Sequence, residues 1–146
     1  MKALVTGFDP FDGDPINPSY EAVRRLPTCI GTLDVVTAQL PTSFKRATVK
    51  LRALLRRERP DIVLCDVHMT PVDGQEFLHR VRESDDPAVR DVAMIFLSGD
   101  NQLDTVRGAM RHHADGYLVK PFEVEDLKQQ LDITVTILGA RRKAAR

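Results

Sequence analysis

Apolar residues in this chain gather in short runs, and the runs alternate with longer stretches in which they recur at helical spacing. Ala3-Leu4-Val5-Thr6 reads as a short buried strand, closed by Gly7 and a loop rich in Asp, Pro and Gly. Asn17-Pro18 pairs an amide cap with a proline at the first helical position, which predicts a helix to about Leu26, stopped before Pro27. Thr32 to Leu40 carries Leu33, Val35, Val36 and Leu40 and predicts a second strand. Pro41 ends it, and Ser43 caps the next helix, with Phe44, Ala47, Leu51, Leu54 and Leu55 on one face. Arg59-Pro60 breaks that helix and leads into a third strand, Asp61 to Cys65.

The rhythm continues. Phe77, Leu78 and Val81 share one face of a helix after Asp73-Gly74, and Asp85-Asp86-Pro87 opens a loop. VAMIFL at 92–97 predicts a fourth strand, Leu103, Val106 and Met110 a fourth helix, and GYLV at 116–119 a fifth strand ended by Lys120-Pro121. Val124, Leu127 and Leu131 mark a fifth helix. ITVTI at 133–137 alternates apolar and polar β-branched residues, which favours a strand. Helix is the preferred reading, with Val135 and Leu138 extending the apolar face, because too little chain follows to place another parallel strand and its crossover. Five strands alternating with five helices predict an α/β fold, a flavodoxin-like three-layer α/β/α sandwich. Its five-stranded parallel sheet would run in the order 2-1-3-4-5, with the functional crevice at the strand carboxyl ends.

Composition adds bounds rather than a function. The 146 residues suit one domain, residues 1–146, with an apolar fraction of 42%. No stretch approaches the roughly 20 apolar residues of a membrane span, and Met1-Lys2 runs straight into a strand without a signal-peptide pattern. Cys29 and Cys65 lie far apart and form no metal or redox motif, so a cytoplasmic, reducing setting is expected. Net charge is zero, yet residues 1–60 carry 10 Lys/Arg against 6 Asp/Glu and the remainder 11 against 15. The basic helix from Lys45 to Arg59 reads as a solvated face, since no aromatic-studded patch or nucleic-acid module accompanies it. No nucleic acid, membrane or obligatory partner is expected, and the chain would be a monomer or homodimer. The basic tail at 139–146 reads as a frayed helix end.

The residues that end the strands would converge: the Gly7–Asp14 loop, Asp66, Ser98 and Lys120. A carboxylate, a hydroxyl and an ammonium group at one spot suit phosphoryl chemistry, with the carboxylate as acceptor and the cation neutralising charge. His112-His113 point about 100° apart on a helix and have no acidic or thiol cluster beside them, so they read as a solvated helix end. The glycine spacing of TGFDPFDG fits neither phosphate-loop nor dinucleotide fingerprints.

From about residue 60 to 138 the chain resembles a response-regulator receiver domain. DIVLCDVHMTPVDG resembles the phosphoacceptor strand and loop, MIFLSGD the fourth strand, and DGYLVKPF the fifth. The resemblance implies Asp66 as phosphoacceptor, Ser98 and Tyr117 as switch residues, Lys120 as the phosphate-site lysine, and a cis Lys120-Pro121 bond. It also implies a metal-binding acid pair directly after the first strand, which this chain lacks. Asp9, Asp12 and Asp14 stand in a Gly/Pro-rich loop with no evident metal geometry, and Asp66 with the His68 carbonyl would hold Mg²⁺ poorly.

Residues 1 to about 65 instead resemble pyroglutamyl peptidase I, or pyrrolidone carboxyl peptidase. The family pattern is met by VTGFDPFDG at 5–13, by Asn17-Pro18-Ser19 and by LPTSF at 40–44. The resemblance implies that Phe8 and Phe11 descend from an aromatic pyroglutamyl pocket, and that the catalytic Glu, Cys and His lie outside the matching stretch. Core packing is the plainer role for both aromatics. The expectation is therefore a chimera: a peptidase-like fragment at 1–65, a receiver-like fragment at 66–138 and the basic tail. It would be an engineered scaffold with no catalytic activity and no cofactor, Mg²⁺ being at most weakly held. The alternative is a degenerate receiver in phosphorelay signalling, with phosphate accepted at Asp66 or a partner bound on the face formed by the fourth helix, fifth strand and fifth helix.

Overall fold

The computed structural model describes residues 1–10, 13, 15–16, 18–66, 74–98 and 114–146, with side chains at all of these except residues 18, 19, 44, 75 and 98. Its spine is a sheet of six strands: β1 (Lys2–Phe8), β2 (Cys29–Ile30), β3 (Leu33–Leu40), β4 (Ile62–Asp66), β5 (Ala93–Ser98) and β6 (Gly116–Val119). The order is β2-β3-β1-β4-β5-β6. Five strands are parallel and stand in the expected 2-1-3-4-5 order. The sixth, β2, corrects the expected count. It is two residues long and antiparallel to β3, because Gly31 takes a positive φ of 61° and turns the chain back on itself.

β1 is buried throughout after Lys2, and its successive side chains leave opposite faces of the sheet to enter two separate core clusters. Leu4 and Phe8 join one core cluster with Leu51 and Leu55 of α2 (Phe44–Glu58), Phe77 and Leu78 of α3 (Gly74–Arg82) and Val89 of α4 (Pro87–Arg90). Ala3 and Val5 join the other, with Val23 of α1 (Pro18–Val23) and Leu127, Leu131 and Leu138 of α5 (Val124–Ala144). Helices therefore cover both faces, giving the three-layer flavodoxin-like arrangement. One sheet runs through both sequence segments, with β1 seated between β3 and β4.

Local chemistry explains the element ends. Arg59 sits in the left-handed region at φ 45° and its N–H returns to Leu55 O, so α2 closes one residue before Pro60. Ser43 occupies the N-cap position of α2 without a side-chain capping bond, which corrects the role expected for it. The expected loop after Asp85 holds a single helical turn, α4. Asp86 accepts the Ala88 N–H at 3.0 Å there, and Pro87 opens the turn. α1 ends at Val23, short of the expected Leu26.

Residues 133–137 are helical, inside α5. Thr134 and Thr136 donate their hydroxyls to the carbonyls of Gln130 and Asp132, each at 2.9 Å. Thr134 is fully buried between Leu131 and Leu138, so a threonine completes the inward face, with Val135 at its flank. The basic tail also departs from the frayed end expected of it. The helix continues to Ala144, Arg141 pairs with Asp115 and Arg142 pairs with Asp61. Among the described residues, no helix is long and apolar enough to cross a membrane. The predicted fourth helix, with Leu103, Val106, Met110 and His112-His113, lies outside the described residues.

Candidate phosphoryl site at the strand carboxyl ends

The parallel strands all end on the same side, so β1, β4, β5 and β6 deliver their last residues to one crevice. Asp66 closes β4, is 9% exposed and lies opposite Leu97 of β5. Lys120 follows β6 directly, and its bond to Pro121 is cis, as the sequence motif implied. Its Nζ donates to Asp66 Oδ2 at 2.5 Å. The two charges are thus neutralised against each other at the crevice floor, the ammonium more exposed than the carboxylate.

The other expected contributors divide. The backbone of Ser98 ends β5, paired with Val119 of β6, while its side chain lies outside the described set. Tyr117 is half-buried and packs on the cluster that contains Phe96. Phe8 is 6% exposed and packed in the same cluster, in the core position that was the plainer reading of it. Phe11, Asp12, Asp14 and His68 lie outside the described residues.

β1 brings no carboxylate to Asp66. Its register places Val5 opposite Leu64, so continuation of the ladder sets Gly7 beside Asp66, with Phe8 beyond it. Asp9 follows, but its backbone N–H bonds Leu40 O and its Oδ1 accepts the Thr42 N–H, both at 2.8 Å. Among the described residues there is no cluster of three or more His, Cys, Asp or Glu side chains. Mg²⁺ needs near-octahedral oxygen ligation, and the described donor set of one lysine-paired carboxylate does not fit it.

Thiol chemistry fares no better. Cys65 is fully buried, and that burial pushes its thiol up to about 12, so it stays protonated at neutral pH. Cys29 is exposed at the edge strand β2, away from the crevice.

A second polar cluster escaped sequence reasoning. Asp115, just before β6, is 3% exposed at its side chain and accepts from Arg82, Arg141 and the Met94 N–H. Asp61, just before β4, accepts from Arg142 and from the Lys2 N–H. Burial opposes the Asp61 charge, but these hydrogen bonds and the Arg142 charge outweigh it and hold the carboxyl below its usual value. Both clusters stand at the strand amino ends, opposite the crevice. Aspartates before apolar runs were the available signal; their arginine partners are dozens of residues away.

Comparison with known proteins bears on both segments. Pyrrolidone-carboxylate peptidase of Thermosipho melanesiensis is 48% identical over 65 residues, which is 44% of this chain and 32% of that protein. The chain thus spans about a third of the length of the curated peptidases it matches. Chemotaxis response regulator CheY4 of Vibrio cholerae superposes with a TM-score of 0.62 at 22% identity, over 91% of this chain and 97% of its own. A LuxR-family DNA-binding response regulator from Staphylococcus aureus gives 0.65 at 16% identity, over 92% and 98%. These superpositions show the fold. The family model for the response regulator receiver domain matches residues 34–132. That match begins well before Pro60, where the receiver-like segment was expected to start. A peptidase fragment is thus joined to a receiver framework in one chimeric chain, and the chain belongs to the response regulator receiver domain family.

Proposed function

We propose that this chain is an engineered fold chimera, a structural scaffold in which a peptidase-derived strand–helix unit completes a receiver sheet and no native catalysis survives. One observation carries the reading: β1, the strand beside Asp66, supplies Gly7 and buried Phe8 where a receiver would need its acids, and Asp9 is committed to Thr42. On this reading Asp66 and Lys120 are an inherited ion pair. The protein needs no Mg²⁺, nucleic acid or membrane, works in a reducing cytoplasm, and exists as a monomer or homodimer. Peptidase activity is excluded from the proposal because the buried, protonated Cys65 cannot serve as nucleophile.

The 2.5 Å contact between Lys120 and Asp66 favours a second reading, a receiver that still accepts phosphate. An Asp66 carboxylate oxygen would attack the phosphorus of a small phosphodonor. An acyl phosphate would form as the bond to the donor's leaving group breaks, and the freed Lys120 ammonium would offset the new charge. The two readings separate in one experiment. The protein is incubated with Mg²⁺ and acetyl phosphate or beryllofluoride, and followed by intact mass and amide chemical shifts. The scaffold reading expects no adduct and no saturable shift. A saturable response that disappears in Asp66→Asn overturns it in favour of phosphoacceptance.

A further inference from the structure

Beside the Asp66–Lys120 pair, the sheet's α1/α5 face leaves a cavity of about 190 Å³. Its floor is Val5 and Leu64, paired across β1 and β4, and Leu97 of β5, which lies opposite Asp66 at the end of β4. Its walls are Val23 at the end of α1, Leu26 just beyond it, Phe122 just before α5 and Leu127 in the first turn of α5. The cavity lies between the two segments, with α1 contributed by the first and α5 by the second.

We propose that this cavity is a binding site for a small uncharged aromatic molecule, of benzene to indole size. The volume suits it: an aliphatic cavity of about 150 Å³ takes up benzene. The lining suits it too, since the walls and floor are almost wholly hydrocarbon. Charge is argued from the rim. Asp66 and Lys120 neutralise each other there, so an anion must compete with Asp66 for the ammonium and then sit against that carboxylate. A cation meets the converse penalty. An uncharged ring gains the apolar burial without disturbing the pair. The proposal does not depend on whether Asp66 accepts phosphate.

The test is an amide and methyl NMR titration of the full chain with indole, run in parallel with benzoate and benzylammonium. Indole is expected to shift the Val23, Leu26, Leu97 and Leu127 signals saturably. Half-saturation should fall at about 0.1–1 mM, the range for burying one small ring system. Benzoate and benzylammonium should bind at least ten-fold more weakly. Val23→Phe, which fills the cavity, should weaken indole binding at least ten-fold while circular dichroism reports a folded protein. If Val23→Phe does not fold, Leu26→Phe, at the half-buried wall, makes the same measurement. Absence of saturable shifts up to the solubility limit of indole overturns the proposal. So does benzoate binding as tightly as indole, or a folded filled-cavity variant that binds indole like the parent.

Discussion

Replacing Asp115 with alanine tests the strand amino ends, where the long carboxyl-terminal helix is tied to the sheet. Asp115 Oδ2 accepts the Met94 N–H at 2.9 Å and Arg82 Nη2 at 3.1 Å, and Oδ1 accepts Arg141 Nη1 at 2.5 Å. The truncation strands a donor on β5. It also removes the counter-charge from Arg82, whose guanidinium burial holds below its ordinary pKa against the pull of Asp115. Arg82 keeps its bonds to the carbonyls of Arg90 and Val92, both at 2.7 Å, so it is not left without partners. A hydrogen bond to a charged group contributes roughly 1.5–3 kcal/mol, and an unsatisfied buried donor costs about 1–3 kcal/mol. The Arg141 pair is 61% exposed on the arginine side and adds no more than about 1 kcal/mol. Because the three contacts share one carboxylate they do not add fully, and the expected loss is about 3 kcal/mol, within the range for a broken buried pair. Urea unfolding followed by circular dichroism would read this as a midpoint lower by about 1–3 M, given a slope of roughly 1–3 kcal/mol/M. Arg141→Ala should lose less than about 1 kcal/mol in the same assay. An Asp115→Ala loss below about 1 kcal/mol, or one matched by Arg141→Ala, would refute the assignment of the anchor to the buried contacts.

Other expectations follow from the same geometry. The Asp61 carboxyl lies below its ordinary value of 3.8, so its stabilisation is present above that pH and is lost as pH falls from about 4 through the depressed folded value. Acid unfolding monitored by circular dichroism should therefore be less steep in Asp61→Asn below about pH 4, and an unchanged acid limb would count against the Arg142–Asp61 tie. At pH 8 a thiol reagent such as dithionitrobenzoate should titrate Cys29 alone in the native chain and both cysteines in denaturant. Rapid native labelling of Cys65 would contradict its burial. Phe8→Ala should cost about 3–5 kcal/mol in urea unfolding, as core truncations do, and a loss under about 1 kcal/mol would contradict its place in the core.

The alternation of apolar runs and helical stripes was enough to read the parallel 2-1-3-4-5 order, because each βαβ unit has one permitted hand and each buried strand announces itself. Asp66, Ser98 and Lys120 were legible as strand-end residues for the same reason, and chain topology brings strand ends together. β2 was not legible, because a two-residue edge strand depends on a backbone turn at Gly31 and not on a hydrophobic period. The character of 133–137 was a contest between local β-propensity and position in the fold. Burial of Thr134 between Leu131 and Leu138 decided it, and its hydroxyl found a helix carbonyl. Phe8 could have lined a pocket or filled a core; only the packing of α2 and α3 against β1 selected the core. What the sequence by itself determined is the order of elements and the residues delivered to the crevice, since both follow from short-range periodicity. The pairing of Asp66 with Lys120, the arginine clamp at Asp115 and Asp61, and the open cavity between α1 and α5 were decided by the tertiary structure, because each joins groups from distant segments whose approach no local pattern encodes.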